Sequence, residues 1–200
     1  ATATLDIGTG VFTIEDDGPK ASATALTAAD KGLLDESDTT GSGTDGIFTA
    51  SVGFADNFTA TAYGADGAGA VAYALVLTGT NVASGFFALG TNGAQGEAIV
   101  LNQTGATITG TAGGQTYFVI SIDNDPASAT FGTATFTLNA DRPIWHSATG
   151  ANGTNHDDAD TMSVAANALV VQQTVTDGDG DTATATLDIG TGVFTIEDDG

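Results

Sequence analysis

The clearest pattern of apolar and polar positions lies near the end of the chain. From Thr182 to Ile189, Ala183, Ala185, Leu187 and Ile189 alternate with Thr184, Thr186 and Asp188. A period of two is the signature of a strand with one buried face. A Gly-Thr-Gly kink joins this run to Val193–Glu197; read as continuous, about 16 residues at roughly 3.3 Å each would cross a whole domain. Ala168–Thr176 reads as the strand before it. The same kind of pattern predicts strands over Ile47–Phe54, Ala70–Thr78, Phe86–Leu89, Ala98–Leu101, Ala106–Thr111, Thr116–Ile122 and Thr130–Leu138. Turn-forming residues fall between them: 64–69, 91–96, Gly113-Gly114 and Asp123-Asn124-Asp125-Pro126. Thr116–Ile122 and Thr130–Leu138 form a hairpin in this reading. Many short strands with turns between them predict an all-β sandwich. Two segments resist it. Ser22–Gly32 suits a helical turn or an irregular incoming strand, and the polar Ser147–Ala166 suits a long loop with one short helix.

The pattern also repeats. Residues 1–18 and 183–200 both read ATATLDIGTGVFTIEDDG, identical at every position and offset by 182 residues. A period of that length makes each repeat a domain rather than a solenoid unit. The reading adopted is a tandem array: residues 1–18 are the last strand and linker of a preceding repeat, and residues 19–200 are one complete module ending in the next linker.

Composition sharpens this picture. Thr, Ala, Gly and Val are abundant and Lys is scarce, which disfavours helix. The chain holds 25 acidic and three basic residues, a formal charge of −22. That charge argues against nucleic acid and anionic membrane surfaces as partners. It also opposes compaction unless cations are bound. There is no cysteine, hence no disulfide framework. No apolar run reaches the ~20 residues that span a bilayer, so no direct membrane insertion is expected.

The acids are clustered: fifteen of the 25 fall in five groups. These are Glu15-Asp16-Asp17, Asp35-Glu36 with Asp38, Asp157-Asp158 with Asp160, Asp177/Asp179/Asp181, and Glu197-Asp198-Asp199. Carboxylates grouped at strand ends, almost without Lys or Arg, suit hard cations bound through oxygen, Ca2+ above all. Asp177-Gly178-Asp179-Gly180-Asp181 is not an EF-hand loop. Its sixth position is Thr182 where glycine is needed, and a strand would put Asp188, at the twelfth, about 20 Å from Asp181. Because the last strand runs from this loop to the C-terminal linker, the loop lies at the end where Glu15-Asp16-Asp17 arrives. A shared site of Asp177, Asp179, Asp181 with Glu15, Asp16 and Asp17 is therefore expected. Asp198 and Asp199 would be half of a second such site. Asp35 and Glu36 join this site, another site, or a solvated turn. Asp66, Asp123 and Asp125 are weaker cation candidates that read first as Asx-turn residues. His156, in the acidic run Asp157-Asp158-Ala159-Asp160, reads first as part of a disordered acidic loop and second as a transition-metal ligand, and His146 reads as a packing or hydrogen-bonding residue.

Several stretches form an ordered set: IEDDGPK (14–20), LLDESDTTG (33–41), YGADGAGAVAYAL (63–75), TYFVISID (116–123), IWHSA (144–148) and VTDGDGDTATATLDI (175–189). In this order they resemble the long repeat modules of giant RTX adhesins, bacterial surface proteins exported by type I secretion. The resemblance implies an immunoglobulin-like, Ca2+-binding extender at the cell surface. It would space adhesive domains from the cell in adhesion and biofilm formation, as a monomeric module whose partners are its neighbours in the chain. The segment around 149–167 and the Gly-Thr-Gly insertion depart from the pattern. The alternative reading is a glycan- or surface-binding adhesion module. An ice-binding face of Thr rows fits poorly, since these rows lie on ordinary two-faced strands. An enzyme is not expected, for no nucleophile–base spacing is present.

Overall fold

The structure, a computed structural model, describes residues 1–6, 8, 10–13, 15–36, 46–59, 62–147 and 158–198, the last without its side chain. Among them run thirteen strands: β1 (Gly32–Asp35), β2 (Thr49–Gly53), β3 (Ala68–Leu77), β4 (Val82–Leu89), β5 (Gln95–Thr104), β6 (Thr107–Ala112), β7 (Gln115–Ile122), β8 (Thr133–Leu138), β9 (Ile144–Trp145), β10 (Asp158–Ser163), β11 (Leu169–Asp177), β12 (Thr182–Asp188) and β13 (Thr191–Asp198). No α-helix occurs among the described residues, so none there is long and apolar enough to cross a membrane. The protein is an all-β sandwich.

Seven strands form one sheet in the order β2-β8-β7-β6-β5-β4-β9; two three-stranded sheets have the orders β12-β11-β3 and β1-β13-β10. Local chemistry sets the hairpins. Gly105, at φ 60°, leads the two-residue turn between β5 and β6, and Gly113 and Gly114, at φ 56° and 74°, make the next one. Such turns match the twist of the flanking strands and need the left-handed region that glycine enters freely. The predicted β7–β8 hairpin is present, with Ile122 opposite Ala134.

Side chains from all three sheets meet in one core. Phe118 stacks on Phe136 at 4.5 Å between ring centroids, and Phe136 lies 5.1 Å from Phe194 of β13. The outer edge of β3 is covered by side chains. Gln103 accepts from Leu77 N and donates to Leu75 O, while Asn124 accepts from Tyr73 N. These bonds occupy ladder positions along the second half of that edge, from Tyr73 to Leu77.

Two expectations are corrected. The last strand is not one run. Asp188 Oδ1 accepts the Gly190 N–H at 2.9 Å, the chain turns, and β12 and β13 lie in different sheets. The polar segment expected to hold a short helix instead carries β10 over its described part. Its register with β13 puts Met162, fully buried, into the core. No strand forms in the described residues of 1–18; the chain enters the sandwich through isolated bridges from Lys20 to Ala62 and from Ala23 to Phe58. Ser22–Gly32 is accordingly irregular, with a turn in which Asp30 accepts from Thr27 N and Oγ1.

Candidate metal centre

Three segments converge where β11 ends. The first is the loop from Asp177 to Asp181. Asp177 closes β11 at a bulge opposite Ala68, and its Oδ1 accepts the N–H groups of Gly180 (3.1 Å) and Asp181 (2.8 Å). The loop is thus folded around one carboxylate. The second segment is the turn that holds Asp66. It lies so close that a Cβ on Gly178 would clash with the Asp66 carbonyl, and one on Gly69 with the Asp177 carbonyl. The third is the linker. A Cβ on Gly64, which is at φ +75°, would overlap the Asp17 carbonyl. Only glycine permits these backbone approaches, and they explain the Gly-rich sequence on both sides of the centre.

The result is two overlapping groups of carboxylates. Asp16, Asp179 and Asp181 offer oxygens within 4.8 Å of one another, and so do Asp66, Asp177 and Asp179. Asp179 belongs to both. Asp177 is 3% exposed, and its Oδ2 is buried with no hydrogen-bond partner. A buried carboxylate oxygen left so is costly, and it faces a cluster of other acids.

Electrostatics record the crowding. The Asp66 carboxyl is held above its ordinary value by contact with that of Asp16, and further by the charges of Asp16, Asp179 and Asp177. Asp179 is raised first by its contact with Asp177, and Asp181 by its contact with Asp16. Like charges this close disfavour ionisation. A cation among them would remove the penalty. The donors are all oxygens, with carbonyls close by and no His or Cys in either group. That chemistry suits a hard divalent ion such as Ca2+.

The expected residues divide as follows. Asp16, Asp177, Asp179 and Asp181 come together. Glu15 and Asp17 belong to neither group; Asp17 pairs at 3.9 Å with exposed Lys20 and brings its backbone, not its carboxylate, to the centre. Asp66, expected as an Asx-turn residue, joins the cluster. Its signal was the Gly-rich YGADGAG turn, which lets two backbones touch. Asp123 and Asp125 do form Asx turns, accepting from Asp125 N and Ala127 N.

Asp35 and Glu36 lie elsewhere, at the end of β13, where Asp35 is in parallel register with Glu197 and the backbone of Asp198 is opposite Asp158. There Glu36 accepts the Ile144 N–H on both oxygens. His146, 4% exposed, stands 3.6 Å from Glu36 Oε2 and 3.6 Å from Asp160 Oδ2. Burial raises Asp160 while His146 opposes the rise. The histidine is thus buried between two carboxylates. Asp38, His156, Asp157 and Asp199 lie outside the described residues.

Fold and site together define an all-β sandwich module with an oxygen-donor cluster where its incoming segment meets the β11–β12 loop. The chain belongs to the family described as a domain of unknown function (DUF5801), whose model matches residues 31–190. The match includes Asp66, Asp177, Asp179 and Asp181 and leaves out Asp16. No curated protein and no solved structure matches the chain.

Proposed function

We propose that this chain is a calcium-stiffened extender module of a bacterial surface adhesin of the RTX type, exported by type I secretion. The observation that carries the reading is the buried, unpartnered Oδ2 of Asp177 inside a cluster that also recruits Asp16 from the incoming segment. An ion held there would bond the linker to the module. It would also cancel the repulsion among Asp16, Asp66, Asp179 and Asp181, fixing the angle at which one module follows another. Repetition of an identical 18-residue segment suits such a spacer, whose work is length and stiffness. The tandem sequence resemblance supports the surface location and the adhesive role.

Thermal unfolding of the full chain in EDTA, across a Ca2+ titration and with Mg2+ as control, tests the proposal. Binding to the folded state alone adds RT ln(1 + [L]/Kd), about 2.7 kcal/mol at a hundredfold excess over Kd. A Ca2+-specific rise in Tm, lost in Asp177→Asn and Asp179→Asn, is expected. Identical curves with and without EDTA in Ca2+ buffer would overturn the reading.

A further inference from the structure

We propose that the outer face of the seven-stranded sheet is a self-association surface, on which a second copy of this chain packs face to face. The first observation is a row of residues across five strands. Thr49 of β2 lies opposite Thr137 of β8, Thr137 opposite Val119 of β7, Val119 opposite Thr109 of β6, and Thr109 opposite Asn102 of β5. Their neighbours along each strand, Ala50, Phe136, Phe118, Ile108 and Leu101, are buried in the core. The row therefore faces outward. Beside it Ser51 lies opposite Thr135, and Thr135 opposite Ser121; all are exposed or half-buried.

The second observation is charge. The chain holds 25 acidic residues against three basic ones. Yet β2, β5, β6, β7 and β8 together carry one charged residue, Glu97, and it lies outside the row. A face cleared of carboxylates gives no advantage towards a neutral or basic partner. Towards another strongly anionic chain it removes the repulsion that opposes close approach. The anionic partner that always accompanies this chain is a second copy of it. The face is also cheap to dry. Ser51 Oγ and Thr135 Oγ1 are hydrogen-bonded at 2.9 Å, and Asn102 donates to Asn81 Oδ1 while accepting from Asn81 N. Polar groups with partners inside the face cost less to take out of water. Short Thr, Ser and Val side chains also lose little rotamer freedom.

Two sheets pack face to face about 10 Å apart with their strands nearly aligned. In a twofold contact of this kind the residue at the axis meets itself. Val119, on the middle one of the five strands, is placed there. Five strands at ~4.8 Å, each giving about six residues at ~3.3 Å, offer roughly 480 Å² per copy. Two copies then bury about 1,000 Å², at the weak and transient end of specific interfaces. Single chains are accordingly monomers at micromolar concentration, with a Kd on the order of 0.1–1 mM. In a tandem array many such contacts would act together.

Sedimentation equilibrium of the full chain tests this, from about 10 µM to about 1 mM in Ca2+ and about 0.5 M salt, where net repulsion is screened. The mean mass should rise with concentration towards that of a dimer. Val119→Glu should weaken association roughly tenfold or more, because the axis then apposes like charges. Thr184→Glu makes the same charge change on exposed Thr184 of β12 and should leave association unchanged. Mixing Val119→Glu with Val119→Lys should restore it. Should Val119→Glu not fold, Thr109→Glu takes its place against the Thr184→Glu control. A chain that stays monomeric at about 1 mM overturns the proposal, and binding of a neutral glycan to the same row would then name the other occupant. Equal weakening by Thr184→Glu, or a mixture no tighter than its components, overturns it too.

Discussion

The same eighteen residues stand at both ends of this chain and meet different fates. In the C-terminal copy they form β12 and β13, and Phe194 is fully buried. In the N-terminal copy Phe12 is 80% exposed and no described residue lies in a strand. Yet the two copies agree wherever structure is local. Asp6 Oδ1 accepts the Gly8 N–H at 2.8 Å, and Asp188 Oδ1 accepts that of Gly190 at 2.9 Å. Gly10 is at φ 73° and Gly192 at φ 77°. A turn closed over two residues forms from its own side chain. A strand does not, because its hydrogen bonds and its buried face belong to residues far away in sequence. Identical β-propensity therefore yields a strand only where β11, β1 and β10 are waiting.

The sharpest way to break this comparison is to make one substitution in each copy. Phe194→Ala is expected to cost about 3–5 kcal/mol, the usual cost of removing a buried aromatic ring. Phe12→Ala should stay within about 0.5 kcal/mol. Urea unfolding of both variants reads the difference, and equal losses would show that the N-terminal copy is packed in solution.

The acids of the two copies give the next contrast. Asp16→Asn should lower Ca2+ affinity roughly tenfold, measured by calorimetry. Asp198→Asn should leave that binding unchanged, since its backbone lies at the other end of the module, opposite Asp158.

A pH series separates the bare cluster from the bound one. Asp66, Asp179 and Asp181 are raised above their ordinary 3.8 in the folded chain. A carboxyl raised on folding contributes stability that is present at low pH and lost as pH rises through the raised value. In EDTA, Tm should therefore climb as pH falls from neutral towards 3.8. With Ca2+ bound the trend should reverse, as protons compete with the ion. Asp30 and Asp123 are lowered by hydrogen bonds, first from Thr27 N–H for Asp30 and from Ser128 for Asp123. Their contribution is lost only as pH falls through about 3.8 and below, a separate window.

The smallest effect is expected at the shared glycine. Gly192→Ala forces a left-handed residue to carry a Cβ inside β13 and should cost ~1 kcal/mol. Gly10→Ala, in the copy without strand partners, should change stability by no more than ~0.5 kcal/mol. Thermal melts of the pair suffice.

Much of this molecule was legible in one dimension. The strand pattern located β2, β3, β6, β7, β11 and β12; in β2, β6 and β11 every second residue goes into the core. β10 was not legible: Asp158, Ala159, Asp160, Thr161 and Ser163 hide the one large apolar residue, Met162, and its partner β13 comes more than twenty residues later. β9 was missed because two residues carry no period at all. In the candidate centre, chain direction alone brought the incoming acids to the Asp177–Asp181 loop. It could not say that Asp16 would face the cluster while Asp17 offered only its carbonyl, since that choice follows from the backbone packing on Gly64. Nor could it bring in Asp66, more than a hundred residues away in sequence.

The sequence by itself therefore determined what lies within a few residues of its cause: the Asx turn at Asp6 and again at Asp188, the left-handed Gly10 and Gly192, the two-residue hairpins, and the alternation of faces. Tertiary structure alone decided which copy became strands, where the last strand breaks between two sheets, and which five aspartates share a centre. The reason is range. A side chain can bond a backbone two residues on in any context, whereas a ladder, a buried ring and a cluster of like charges exist only after distant segments have met.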